Sequence, residues 1–336
     1  MNRTAILTFD YEVFLGKKTG TIENCVLRPT EMILDILLEN NAKAIFFVDT
    51  TWLLFLKEYL PEDFFAVSNQ LKKIVSAGSS VELHLHPQWK DAYLHEGTIK
   101  FKTFSHYSLK TLSNEEIISL FKKSVELLEN ITAQKVNCFR AGGFCIEPFN
   151  KIKDALNEVG IKYDFSVAPK VFLKSGQQYD FDFSDVPIVP VYKFRDDVKK
   201  PDPSGEFVEL PLSVYNNNPI YRLVNKIALK LKKDRSMGDG VGIRYQNFYF
   251  FRSFSRRLQI SKEIISLDST YNRSFRFIVN NHFKRSSLIT IISHPKMMSK
   301  EGLNNLRYVS EKFQTIGSND IQEVLTHNVS NYESTR

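Results

Sequence analysis

The sequence predicts an α/β protein built on a parallel sheet or barrel. Short apolar runs of strand type alternate with helix-patterned runs of about 10–15 residues. Gly, Pro, Ser and Asn mark most of the passages between them. A chain of 336 residues, 43% of them hydrophobic, is long enough to bury a large core under one such sheet.

TAILTF (4–9) is the first strand. Pro29 opens a helix in PTEMILDILLENN, where Met32, Ile33, Ile36 and Leu37 recur at helical spacing. AIFFVD (44–49) is a buried strand, and DFFAVSNQLKKIVSAG (63–78) is an amphipathic helix stopped by Gly78. VELHLH (81–86) is the third strand, which Pro87 ends because it has no N–H to give a ladder. Ser113 caps the next helix, with Glu116 three residues on. VNCFRAG (136–142) is the fourth strand, EPFNKIKDALNEVG (147–160) a helix ended by Gly160, and KYDFSV (162–167) the fifth strand. Residues 168–206 read as loops with short strands, and FVELPLSV (207–214) as a strand. A basic helix follows in NPIYRLVNKIALKLKKD (218–234), then an irregular aromatic stretch (235–262). SLITIISHP (287–295) is the last strong strand, before a helix near 300–314 and a polar tail.

The composition narrows the function. No run approaches 18 uninterrupted apolar residues, so no transmembrane helix is expected. The opening MNRTAILTFD lacks the apolar core of a signal peptide, which makes the cytoplasm the expected compartment. Cys25, Cys138 and Cys145 have no CxxC spacing and predict neither a disulfide framework nor a zinc knuckle. The net charge of +7 is concentrated: Arg222 to Arg285 hold 15 Lys and Arg against 4 Asp and Glu. No nucleic acid partner is expected, because the chain carries no helix-turn-helix, zinc-finger or RNP-like signature. An anionic inner membrane face, met through 218–234, or a phosphate-linked substrate suits the basic block.

Chemistry-bearing residues collect at predicted strand ends. Side chains two apart on a strand share a face, so His84 and His86 stand side by side with Glu82, while Val81, Leu83 and Leu85 face the other way. Imidazole is a common metal ligand, and a nearby carboxylate would complete a site. The first strand ends in Asp10 and Glu12, the fourth in Arg140 with Gly142 and Gly143, and the last in His294. In parallel α/β folds the strand C-termini share one face, where catalytic groups gather. The glycines would let backbone approach a substrate closely. Trp89 either contacts a substrate or packs at the rim. His95, His106, His282 and His327 lie away from strand ends and are expected at the surface or in loops.

TFDYE, ELHLHPQW, FRAGGF, KDALNEVGIKYDFSV and IISHP, in this order, resemble the successive motifs of the NodB-homology polysaccharide deacetylases. The resemblance spans about 10–295. It implies a distorted (β/α) barrel of about seven parallel strands, here one domain over 1–315 with an insertion around 168–285 and a tail over 316–336. It also implies removal of acetyl groups from N-acetylated sugars in surface-polysaccharide synthesis, with one divalent metal, zinc. Carried over by motif, Asp10 is the general base, His84 and His86 are metal ligands, Arg140 orients the base, and His294 is the general acid. Two departures stand out. Tyr11 occupies the place of the family's metal-binding Asp, and the histidines are two apart instead of four. Glu12 is the candidate for the missing ligand, although Asp10 as ligand and Glu12 as base is equally open. A hydrolase of another amide or ester, and an inactive relative that binds glycan, remain as alternative readings.

Overall fold

A computed structural model of the chain describes residues 3–16, 18–174, 180–242, 260–268 and 270–325. Much of the aromatic stretch (243–259) and the end of the tail (326–336, with His327) lie outside the described residues. In chain order the strands are β1 (Thr4–Tyr11), β2 (Ile45–Asp49), β3 (Ser80–Leu85), β4 (Ala92–His95), β5 (Thr98–Phe101), β6 (Cys138–Ala141), β7 (Tyr163–Asp164), β8 (Phe172–Lys174), β9 (Asp180–Asp182), β10 (Tyr192–Phe194), β11 (Phe207–Glu209), β12 (Val214–Asn217), β13 (Ser261–Ile264), β14 (Leu288–Ser293) and β15 (Gln314–Thr315). The helices are α1 (Arg28–Glu39), α2 (Thr50–Tyr59), α3 (Pro61–Ser76), α4 (Asn114–Thr132), α5 (Lys153–Val159), α6 (Pro219–Leu231), α7 (Asn272–His282) and α8 (Lys300–Lys312). They fall into two compact units, residues 1–44 with 212–316 and residues 45–211 with 317–336.

In the first unit β1 and β14 run parallel, with Thr4 opposite Leu288 and Phe9 opposite Ser293. β15 pairs with the start of β1. All of β14, and all of β1 after Thr4, is buried. Both strands therefore read as near-continuous apolar runs, the pattern of strands covered on two faces. α1 carries Pro29 in its first turn and buries Ile33, Leu34, Ile36 and Leu37, packing against α8. β12 and β13 form a separate antiparallel pair. α6 buries none of its residues.

In the second unit the sheet order is β10-β11-β7-β6-β3-β2. The pairs from β2 to β11 are parallel, and β10 is antiparallel to β11. Val67, Leu71 and Ile74 of α3 and Ile117, Phe121 and Leu128 of α4 are buried. α4 starts with the expected capping box: Glu116 N donates to Ser113 Oγ and Ser113 N donates to Glu116 Oε2. Gly160 ends α5 in the left-handed region at φ 75°, where a side chain would be strained.

Each unit is α/β, the class that the alternation predicts. The differences are local. α2 follows β2 without a loop, and its N-cap is Asp49, whose side chain accepts from Trp52 N. The expected strand 207–214 is two strands with Pro211 between them, a residue with no N–H. The expected helix 147–160 contracts to a short turn and α5. Residues 316–325 pack inward at Ile316 and Ile321, and Ser318 N donates to Ser80 Oγ.

Candidate active site

The register of β1 on β14 sets up the first cluster. Phe9 lies opposite Ser293, so the next residues, Asp10 and His294, lie side by side at the strand ends. His294 Nε2 stands 3.7 Å from Asp10 Oδ2 and 3.9 Å from Glu12 Oε1. Its Nδ1 lies 2.9 Å from Asp268 Oδ2. Asp268 is itself held by Ser293 Oγ, which donates to Oδ1 at 2.6 Å. An imidazole so placed donates Nδ1–H to Asp268 and presents Nε2 to the two acids. Burial alone would lower the His294 pKa; the hydrogen bond and charge of Asp268, with the charge of Asp10, outweigh it and raise the value. Lys296 Nζ donates to Glu12 Oε1 at 2.7 Å and to the Val13 carbonyl at 2.9 Å, fixing the Glu12 carboxylate.

Tyr11 takes no part in this cluster as an anion. It is wholly buried, and burial together with the charge of Glu31 on α1 holds its hydroxyl well above the usual tyrosine range. Alternation along β1 sends it to the face opposite Asp10.

Parallel register also builds the second cluster. Asp49 pairs with His84, and His84 with Arg140, so three strand ends lie in one row. His84 Nδ1 is 2.8 Å from the Arg140 carbonyl, which fixes the proton on Nδ1 and leaves Nε2 as an acceptor. His84 Nε2 lies 3.0 Å from His86 Nε2. Both rings are buried. Asp49 anchors the surrounding backbone: its Oδ1 accepts from Thr51 Oγ1 at 2.5 Å and Trp52 N at 3.3 Å, and its Oδ2 from Trp89 Nε1 at 2.7 Å. His86 N donates to Thr51 Oγ1 at 3.0 Å.

This pair fits a metal ion. Two imidazole nitrogens 3.0 Å apart both reach one ion at the usual Zn–N length of about 2.1 Å. The neighbouring Gln88 places its amide nitrogen 3.3 Å from His86 Nδ1, while its buried Oε1 has no hydrogen-bond partner. Turning that amide over satisfies both groups: His86 Nδ1–H then donates to Gln88 Oε1, and Nε2 is left to ligate.

Arg140 is fully buried, with its guanidinium 4.3 Å from the Phe47 ring centroid and its Nε donating to the Phe165 carbonyl at 3.0 Å. Two acids share its surroundings. Asp164 pairs in register with Glu209. Burial and then the charge of Asp164 push Glu209 well above the usual carboxylate range, and burial raises Asp164 as well. Burial thus pushes both acids toward the neutral form, and the charge of the Arg140 guanidinium opposes it.

Trp89, Gly142 and Gly143 sit as follows. Trp89 is only 3% exposed, its ring lies against Phe55 and Phe101, and its N–H is spent on Asp49, so it offers no face to a sugar. Gly142 makes room for protein: a Cβ there would sit 2.6 Å from His86 Nδ1. Gly143 supplies a left-handed turn at φ 57°. Within the first unit the structure brings together Asp10, Glu12 and His294; within the second it brings together His84, His86, Arg140 and Gly142. Sequence reasoning passed over Asp49, Asp268, Lys296, Gln88, Asp164 and Glu209. Asp49 ends β2 and was open to the same strand-end rule; Asp268 has no such signal, because it follows a loop.

In each unit, then, imidazoles and carboxylates gather at the ends of parallel strands. Residues 2–163 match the family model of the polysaccharide deacetylases. None of the curated proteins matches the chain. Among solved structures, a putative polysaccharide deacetylase from Mycobacterium smegmatis is 16% identical, with 99% of this chain and 92% of that one covered and a TM-score of 0.49. A CE4 family pseudoenzyme from Bacillus anthracis is 13% identical, covering 95% and 65%, at TM-score 0.42. A mutant of a CE4 family pseudoenzyme with restored enzymatic activity is 22% identical over 49% of this chain, at TM-score 0.32, and the chain spans 44% of its length.

Proposed function

We propose that the protein is a metal-dependent deacetylase that removes the acetyl group from an N-acetylated sugar. The substrate would be a precursor of a surface polysaccharide, carried on phosphate and met in the cytoplasm. The observation that carries this reading is the buried His84–His86 pair, whose Nε2 atoms face each other at 3.0 Å. Glu12, His84 and His86 are the proposed ligands of one zinc ion. Glu12 takes the ligand role because Tyr11, at the family's usual position, is held neutral. When bound, the ion supplies a water of lowered pKa and polarises the acetyl carbonyl.

The protein's own groups do the rest. Asp10 is the base that takes the water proton. Arg140 holds that base ionised. His294, protonated and oriented by Asp268, gives its Nε2 proton to the leaving amine. The reading is tested by acetate release from N-acetylhexosamine conjugates, free and phosphate-linked, with and without a chelator. Zinc-dependent release that His294→Ala lowers by about 10²–10⁴-fold, with zinc content kept, supports it. Undiminished zinc in both His84→Ala and His86→Ala refutes the ligand assignment. Glycan binding without acetate release at full zinc occupancy would make the protein a binder and refute the enzyme reading.

A further inference from the structure

A surface helix is normally stable because its apolar stripe faces a core. α6 does the reverse. None of its residues is buried, and Ile220, Leu223, Val224, Ile227 and Leu231 are 46% to 79% exposed. At 100° per residue these five fall within an arc of about 100°. The helix is held from its other side. Asn225 Oδ1 accepts from Tyr271 N at 2.6 Å, and Lys232, just past the helix, reaches Glu301 at 2.7 Å. The outward stripe is therefore a fixed feature of the first unit.

Charge follows the stripe. Lys226 and Lys230 are exposed along one edge of it, Lys233 is exposed just past the helix end, and the helix contains no Asp or Glu. The apolar surface continues onto α7, where Phe277 is 51% exposed and its ring lies 5.5 Å from that of Tyr221. Arg273, one turn before Phe277, is exposed as well. No helix among the described residues is long and apolar enough to cross a membrane.

We infer that the α6 face, with Phe277, is a peripheral docking surface for an anionic lipid bilayer. An apolar stripe with lysines at its edge and no acid matches the boundary between acyl chains and anionic headgroups. A phosphate ligand alone would have no use for the stripe. A second copy of this chain, docked by a two-fold axis on the same stripe, would bring the basic rims of two like surfaces together.

The test is sedimentation of the full-length protein with vesicles of phosphatidylglycerol and phosphatidylcholine, against phosphatidylcholine alone, at low and moderate salt. The protein is expected to bind the anionic vesicles, less so at moderate salt. Leu223→Ser with Ile227→Ser should lower the partition coefficient about tenfold or more. Lys226→Gln with Lys230→Gln should lower it about 25-fold, roughly fivefold per lysine. The Ser variant should keep the parent's far-UV spectrum and melting temperature, since both side chains face solvent. Failure to bind anionic vesicles at low salt overturns the inference, as does binding that neither variant changes. A dimer seen by light scattering that the Ser variant dissolves overturns it in favour of self-association. A melting temperature lowered by several degrees in that variant also overturns it, because another part of the chain would then cover the face. None of these readouts depends on catalysis.

Discussion

Replacing Gly142 with Ala tests the geometry of the histidine pair directly. The new Cβ would lie 2.6 Å from His86 Nδ1 and closer still to the Leu85 carbonyl, where ordinary contact begins near 3.4 Å. About 0.8 Å at the ring and about 1.0 Å at the carbonyl must be found by moving something. The carbonyl belongs to β3, paired to β6, and the His86 backbone is tied to Thr51. With both neighbours fixed, the strain relaxes poorly, and overpacking of this kind costs about 1–3 kcal/mol. Part of the displacement falls on the His86 ring. Loss of its orientation should weaken zinc binding about 10–100-fold, the range seen when a ligand's supporting contact is removed. Urea denaturation of the metal-free protein and a competition titration with a zinc chelator read the two effects separately. Gly142 lies outside the left-handed region, so the backbone itself accepts alanine and the effect is steric. Stability within about 0.5 kcal/mol of the parent, together with an unchanged zinc affinity, would refute the reasoning.

Asp268→Asn removes a carboxylate that raises the His294 pKa, so the imidazole should lose its proton at lower pH. The basic limb of the pH–rate profile for acetate release then moves down; an unmoved limb excludes His294 as the acid. Glu209 has a raised pKa in the folded protein, so its stabilising contribution is full below the unfolded carboxylate value near 4.5 and fades as pH rises through the folded value. Glu209→Gln, which cannot ionise, should flatten the decline of stability above that pH, as followed by chemical denaturation across a pH series. Ser113→Ala breaks the capping box of α4 and should cost about 1 kcal/mol, measured the same way.

The strand ends were legible because period-2 alternation and proline stops depend on a few neighbouring residues. His84 and His86 on one face, Pro87 closing the strand, and Ser113 with Glu116 at a helix start are all local facts. The partners of those residues were not legible. Asp268 reaches His294 across 26 positions, and Asp164 meets Glu209 only through the register of two short strands. α2 was hidden because Asp49 both ends a strand and caps a helix, leaving no loop to announce the change. Trp89 stayed open between stacking on a sugar and packing at the rim, because sequence shows an aromatic residue near a strand end but not the carboxylate that holds its N–H. The thiols show the same limit: burial pushes Cys145 up to about 12, a property of packing with no trace in spacing.

The rigidity of the histidine pair bears on what an arriving ion must accomplish. In a zinc finger the ion organises the chain, so removing it unfolds the domain. Here the His84 ring is locked by a main-chain carbonyl, and the backbone of His86 by the turn that Asp49 holds. The ordering entropy of the two imidazoles is already met by folding, whether or not a cation is present. Binding free energy is then spent on affinity and not on assembly. Chelation should leave a folded protein with an intact, reloadable cradle, so that metal supply would regulate the activity without governing the protein's lifetime.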